Sequence, residues 1–205
     1  MASGTTYEED ITSPTYSSLQ ACLHYQTTET GDAVNASWYG GVWANYTREF
    51  NYMYHSLGYK KGSNSEYSKA NSSGHSVSHS GSSGTPYHSN GTVSETFAKT
   101  TSAYNVYLYS YCSVESLNGS YWDSQAEYHF TVPALATYTI KYNANGGSGA
   151  PGNQTKTYGI NLTLSSTIPT KAGYKFLGWS TSSTATSATY AAGGTYSSNS
   201  GTTLY

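Results

Sequence analysis

The sequence predicts an all-β fold, with a β-sandwich in the first two thirds of the chain and a small β module after it. Apolar and polar residues alternate over short runs, and each run ends at a cluster of Gly, Pro, Asn or Ser, as in strands joined by tight turns. The 23 Tyr residues and the many Thr residues favour strands, whereas Leu, Glu and Lys are sparse. Although only 10% of residues are charged, 15% are aromatic, which argues against disorder.

Six alternating runs predict the strands of the sandwich, and turn signals recur between them at a spacing of about 8–12 residues. The runs cover residues 19–26, 34–39, 46–55, 92–100, 104–114 and 124–132. Alternation in the third run places one set of side chains on a single face: Tyr46, Arg48, Phe50, Tyr52 and Tyr54. In the fifth run it separates Val106, Leu108, Ser110 and Cys112 from Tyr107, Tyr109 and Tyr111.

The remaining segments divide the chain into an arm, a sandwich and a final module. Residues 1–17 are polar and form an N-terminal arm, residues 18–133 form the sandwich, and a break at Pro133-Ala134-Leu135-Ala136 precedes a module at 137–205. Residues 62–91 are dominated by Ser, Gly, Asn and His. Two interpretations of them stay open, a mobile loop or strands with small side chains, and Ser89-Asn90-Gly91 is a hairpin-turn signal.

The final module contains three motifs, YNANGG at 142–147, PTKAGYKFLGW at 169–179 and TLY at 203–205. In these it resembles the Listeria–Bacteroides repeat, also called the internalin-type B-repeat. The resemblance implies a small β-grasp-like unit, as found on bacterial surface proteins and phage tail proteins, which connects and displays other parts and is not known for catalysis. It implies structural roles for Tyr142, Asn145, Gly146, Gly147, Gly173, Tyr174, Phe176, Gly178 and Trp179, with Trp179 in the core.

Two further segments, His88-Ser89-Asn90-Gly91-Thr92 and Phe130-Thr131-Val132-Pro133-Ala134-Leu135, precede the module. Together with it they make the whole chain similar to minor structural proteins of siphophage tails. This resemblance implies a homo-oligomer that contacts other virion proteins. The first residues show no secretion signal, which favours a virion protein made in the host cytoplasm over a secreted adhesin. The repeat family normally continues past Leu-Tyr, so we expect the natural chain to extend beyond Tyr205.

Charge and hydropathy exclude two classes of partner. The net charge of −2 provides no basic surface for nucleic acid, and the only basic doublet, Lys60-Lys61, suits a solvated turn. No apolar run of about 20 residues is present, so we expect no membrane insertion.

The sequence offers few groups for catalysis or for a metal. His75, His79 and His88 are close enough in sequence to suggest a Zn²⁺ site, but no acid lies between Lys69 and Glu95 to orient them, which favours polar loop histidines. Cys22 and Cys112 are either buried thiols or a disulfide. Nucleophile elbows, paired carboxylates and phosphate loops are absent, so we expect no enzyme, metal or cofactor.

Aromatic residues beside glycines are the candidate binding residues for a glycan or a partner. They are Trp38, Tyr39, Trp43, Tyr121 and Trp122. Exposed Trp and Tyr rings stack on the C–H face of sugars; the alternative is that Trp38 and Trp43 fill the core of the sandwich. For Tyr121 and Trp122 the sequence predicts a loop position.

The main functional hypothesis is a non-enzymatic phage virion structural protein, tail-associated, that acts in assembly and host-surface attachment. One alternative is a carbohydrate-binding adhesin module of a bacterial surface protein, located outside the cell on its surface. Another is a capsid decoration or head-fibre protein.

Overall fold

The computed structural model is all-β, and the residues that it describes contain strands and turns but no helix. It describes residues 19–44, 48–63, 68–75, 78–79, 86–88, 92–116, 119 and 121–205. The predicted arm at 1–17 and the predicted turn at 89–91 lie outside this part of the chain. The chain divides into two compact units, Met1–Ala134 and Leu135–Tyr205.

The described residues of the first unit contain nine strands. They are β1 (Leu19–Glu29), β2 (Ala33–Ala44), β3 (Arg48–Lys61), β4 (Ser68–His75), β5 (Ser78–His79), β6 (Pro86–His88), β7 (Val93–Ala98), β8 (Tyr104–Ser116) and β9 (Tyr121–Val132). All pair antiparallel, in two sheets. In sheet 1, β1 pairs with β2, which also pairs with β6 and β7. Sheet 2 has the order β4-β3-β8-β9, with β5 paired to β3.

The two sheets pack face to face as a sandwich, and β1, β2, β3, β7, β8 and β9 contribute the core side chains that the structure describes. Sheet 1 contributes Leu23, Val34, Ala36, Trp38 and Phe97, and sheet 2 contributes Leu57, Val106, Leu108, Cys112, Ala126 and Val132. The fifth predicted run behaves as expected, since its Val-Leu-Ser-Cys side is fully buried. Burial of these apolar side chains, at about 25 cal/mol per Å² of apolar surface, is the main force that holds the sheets together.

Gly40 of β2 marks a close approach between the two sheets. A Cβ atom at this position would lie 2.1 Å from Ser110 Oγ, 2.7 Å from Ser110 Cβ and 2.9 Å from Leu57 Cδ2. Real Cβ atoms do not tolerate such distances, because cores are packed at the density of organic crystals. The small residue is therefore required here by the packing of the opposite sheet.

All six predicted strands are present, but several boundaries differ. The third begins at Arg48 and continues to Lys61, so Lys60-Lys61 ends a strand instead of forming a turn. A register shift against β8 between Phe50 and Tyr52 interrupts its predicted alternation, and Tyr46 lies outside the described residues. In the stretch 62–91, β4, β5 and β6 favour the alternative of strands with small side chains.

The second unit is built from five short strands, β10 (Thr137–Tyr142), β11 (Gln154–Thr157), β12 (Leu162–Thr163), β13 (Thr195–Tyr196) and β14 (Thr202–Leu204). β10 is central: it pairs antiparallel with β11 and parallel with β14, the last strand of the unit. β12 and β13 form a separate antiparallel pair. The core consists of Ile140, Tyr142, Leu164, Trp179, Tyr196 and Leu204.

One cation is buried in this second unit. Lys156 is 0% exposed, and its Nζ donates to Thr157 O at 2.6 Å and to Asn199 Oδ1 at 3.0 Å. The same Asn199 oxygen accepts from the Gly159 N–H at 2.9 Å. These neutral oxygens satisfy a charge that would otherwise be costly to bury, and they tie the end of β11 to the loop before β14.

Candidate binding sites

Polar side chains surround a concavity on the outer face of sheet 1, where β1, β2 and β7 pair. The concavity has a volume of about 490 Å³ and is lined mainly by hydroxyl and amide side chains, those of Gln26, Thr28, Asn35, Ser37, Ser94 and Thr96, together with Ala36 and Glu95. Cross-strand pairing places these residues in rows, Thr28–Asn35–Thr96 and Gln26–Ser37–Ser94. Thr96 Oγ1 donates to Asn35 Oδ1 at 2.7 Å, which holds one row in a fixed geometry. We call this surface the hydroxyl face.

Tyr39 is the aromatic residue of β2 that is exposed next to the hydroxyl face. It lies two residues beyond Ser37 and is 37% exposed. Its ring stacks on His24 of β1, with centroids 4.7 Å apart and planes 12° apart. The stack fixes the orientation of the ring, so one candidate from the sequence presents an aromatic surface beside a row of hydrogen-bonding groups.

Trp38 has the opposite environment and is a core residue. It is 0% exposed and contacts Tyr59 of sheet 2 edge to face, with centroids 6.1 Å apart. Its indole N–H has no hydrogen-bond partner within the described part of the chain. A sugar in solvent cannot reach this ring, so the core alternative that the sequence left open applies to Trp38.

For the other three candidate residues, the structure describes only the position of the backbone. Trp43 lies in β2, where its register partners are Gln20 of β1 and Pro86 of β6. Tyr121 and Trp122 are the first residues of β9, which corrects the expected loop position. Their side chains lie outside the described residues.

The outer face of sheet 2 carries the tyrosines that the fifth run predicted to be opposite its core side. The rings of Tyr111 and Tyr54 pack edge to face with centroids 6.3 Å apart, and the ring centroids of Tyr107 and His129 are 5.6 Å apart. Burial, followed by the hydrogen bond and charge of Asp123, raises the pKa of Tyr111 above its ordinary value of 10.0. The Tyr111 hydroxyl therefore already has Asp123 as a hydrogen-bond partner.

Lys60 adds a cation to this tyrosine face. Its Nζ lies 4.7 Å from the centre of the Tyr107 ring and 3.7 Å from a carboxylate oxygen of Glu127. Tyr109 is buried in the same face, with its hydroxyl 3.3 Å from Ser56 Oγ. Several described polar groups of this face thus contact one another, whereas the hydroxyl face includes a concavity.

The motif YNANGG forms a tight turn after β10. Asn145 and Gly146 both have positive φ, 50° and 83°, and the Gly147 N–H donates to Ala144 O at 2.9 Å. Two consecutive positive φ values define a type I′ turn, for which Asn-Gly is the preferred pair. A Cβ on Gly147 would lie 2.4 Å from Thr170 O, so this glycine permits close backbone approach.

The motif PTKAGYKFLGW contains a second turn and the main aromatic core residue. Gly173 has a φ of 77° and the Tyr174 N–H donates to Lys171 O at 3.1 Å, as in a type II turn. Gly178 has a φ of 136°, and a Cβ there would lie 2.5 Å from Tyr190 O. The backbone conformation at both positions therefore favours glycine over any residue with a side chain.

Trp179 is fully buried between two other aromatic residues of the unit. Its ring centroid lies 4.9 Å from that of Tyr142 and 5.0 Å from that of Phe176, and both pairs pack edge to face. The Tyr142 hydroxyl contacts Gln154 Oε1 and accepts from the Ser165 N–H at 3.1 Å. Burial raises the pKa of Tyr142, and the Ser165 hydrogen bond lowers it in part.

Tyr174 differs from the other aromatic residues of the second unit because it is 74% exposed. Leu177, three residues later, is 68% exposed. The resemblance to the repeat family implied a structural role for Tyr174, whereas Leu177 was part of the motif but not among the candidate residues. The only available signal was local: residues 174–179 alternate poorly, so they could not all face one core.

Groups for metal or redox chemistry are not assembled in the described residues. Among these, no cluster of three His, Cys, Asp or Glu could hold a metal ion. The side chains of His75, His79, His88 and Cys22 lie outside that set, whereas Cys112 is buried in the sandwich core. No helix long and apolar enough to cross a membrane occurs in the part of the chain that the structure describes.

Comparison with known proteins identifies the second unit. Residues 138–205 match the family model of the Listeria-Bacteroides repeat domain, which confirms the resemblance seen in the three motifs. This domain is usually found in surface proteins. The match covers about a third of the chain, and no curated protein or solved structure gives a significant match.

Proposed function

We propose that the chain is a non-enzymatic structural protein of a phage virion, associated with the tail, that acts in assembly and in attachment to the host surface. The observation that carries this proposal is the surface-protein repeat at 138–205, placed directly after a β-sandwich. In this proposal the repeat displays or spaces the sandwich, and the sandwich makes the contacts. Other virion proteins and further copies of this chain are its partners.

The surfaces of the sandwich support a role in binding. The hydroxyl face provides hydroxyl and amide groups in rows, with the ring of Tyr39 beside them. Apart from Gln26 and Glu95 its side chains are short, so little conformational entropy is lost when those short side chains are ordered against a partner. Such a surface suits a polar ligand or the edge of a neighbouring subunit more than it suits turnover of a substrate.

Immunogold electron microscopy of purified virions tests the proposed location. An antibody against the purified chain is expected to label the tail, at several positions if copies assemble together. Label confined to the head would instead identify a capsid decoration or head-fibre protein. Absence of label from the particles, combined with label on uninfected bacterial cells, would overturn the virion assignment.

A carbohydrate-binding adhesin module is the second candidate, and Tyr39 is the specific observation that favours it. An exposed ring held by stacking and flanked by hydrogen-bonding side chains is a common arrangement for binding a pyranose. In this case the chain acts on a bacterial surface, and Tyr39 replaces Trp38 as its central aromatic residue.

A further inference from the structure

The second unit contains a cleft of about 300 Å³, formed entirely by residues of that unit. Trp179 and Phe176 lie at its apolar side, while Tyr174 and Leu177 stand exposed beside them. The opposite side is hydroxyl-rich and comes from the loop at 182–188. A concave site with exposed aromatic and aliphatic groups and convergent hydroxyls has the features of a small-ligand site.

Hydrogen bonds hold the walls of this cleft in place. Asn145 Nδ2 donates to Ser183 O at 2.7 Å, which joins the type I′ turn to the loop at 182–188. Lys171 Nζ donates to Asn145 O at 2.8 Å, and Ser180 exchanges two backbone hydrogen bonds with Tyr205, at 2.8 and 3.0 Å. The site is thus largely formed before any ligand arrives, which lowers the entropic cost of binding.

The charged side chains around the cleft all have one sign. Residues 135–205 contain four lysines, Lys141, Lys156, Lys171 and Lys175, and no Asp or Glu. Two of them line the cleft, and Lys171 Nζ lies 4.6 Å from the centre of the Tyr174 ring. With no Asp or Glu side chain in the unit to neutralise them, these lysines make the local side-chain field positive.

We propose that this cleft binds an acidic glycan, a sugar polymer that carries carboxylate, phosphate or sulfate groups. A sugar ring packs on Tyr174 and Leu177, its hydroxyls bond to the loop at 182–188, and its anionic group pairs with Lys175 and Lys171. Tyr174 is too exposed to contribute much to the core, so its ring is available for this contact. The proposal does not depend on the virion location or on the hydroxyl face.

Fluorescence polarisation with the full chain tests this site. The labelled probes are a hyaluronan oligosaccharide for carboxylate, a glycerol phosphate oligomer for phosphate and a heparin oligosaccharide for sulfate. Neutral dextran and a polyglutamate peptide are the comparison probes. We expect at least one acidic glycan to bind, with affinity that falls as NaCl rises from about 50 to about 300 mM, because exposed charges are screened.

Single substitutions locate the binding within the unit. We expect Lys175→Gln to weaken binding about 5-fold and Tyr174→Ala about 10-fold, with thermal unfolding unchanged. Lys141→Gln removes the same charge from a residue that does not line the cleft, so it should change affinity less than about 2-fold. Equal losses in both lysine variants, equal binding of dextran, or preferential binding of polyglutamate would each overturn the proposal.

Discussion

Replacing Gly40 by Ala should destabilise the sandwich by about 2–3 kcal/mol, although the change adds only one methyl group. In an ordinary strand this substitution is favourable, because Gly loses more backbone entropy on folding than Ala does. Here the new Cβ would meet Ser110 Oγ at 2.1 Å and Leu57 Cδ2 at 2.9 Å. Both neighbours belong to the opposite sheet, so relief requires the two sheets to move apart. Urea unfolding of the full chain measures the loss.

Two further variants separate steric conflict from a general effect of removing glycine. Gly152→Ala is the matched control, because a Cβ there meets nothing within 4 Å, and stability should stay within about 0.5 kcal/mol. In the double variant Gly40→Ala with Ser110→Gly, two of the three close contacts disappear. The double variant should therefore be more stable than the sum of the single changes predicts, by about 1–2 kcal/mol. Strict additivity would contradict the close approach of the sheets.

Replacing Trp179 by Ala should cost the second unit about 3–5 kcal/mol, which is close to the whole stability of a domain of this size. Its ring is fully buried and joins Tyr142 to Phe176. A small core has little other apolar surface to compensate for the cavity. We expect the amides of β10 and β14, including Ile140, to lose most of their protection in native-state hydrogen exchange.

Tyr174→Ala is the control for this second prediction. Tyr174 belongs to the same motif and is also aromatic, but most of its side chain is exposed. Its removal should change hydrogen-exchange protection by less than about 0.5 kcal/mol. If both variants lost protection equally, or if Trp179→Ala kept full protection, the assignment of Trp179 as the centre of the core would be wrong.

Alternation in the sequence predicted the strands well where both faces of a sheet have distinct environments. The run at 104–114 shows this, since its two sets of side chains lie on the two faces of sheet 2. Alternation did not predict the strands correctly where pairing with a distant strand decides the local geometry. The register shift between Phe50 and Tyr52 arises from pairing with β8, about sixty residues later, so local alternation could not reveal it. The strands in 62–91 likewise depend on β2 and β3 as partners.

The candidate binding residues were harder to predict, because exposure depends on which face of a strand meets the core. Trp38 and Tyr39 are neighbours in sequence and look equally suitable for a sugar, yet one is buried and the other is 37% exposed. A one-residue difference decides this, since successive side chains of a strand point to opposite faces. The concavity of the hydroxyl face combines residues of β1 and β2 with residues of β7, which lies far from both in the chain.

Binding of the purified full chain to its host cells, compared between two tyrosine variants, tests the central claim of attachment without catalysis. Tyr39→Ala should reduce cell binding about 10-fold or more while the urea midpoint stays unchanged. Tyr107→Ala, the same substitution on the outer face of sheet 2, should leave cell binding within about 2-fold of the original chain. Undiminished cell binding by Tyr39→Ala would contradict the claim of attachment without catalysis. Release of modified surface material on prolonged incubation with the original chain would contradict the same claim.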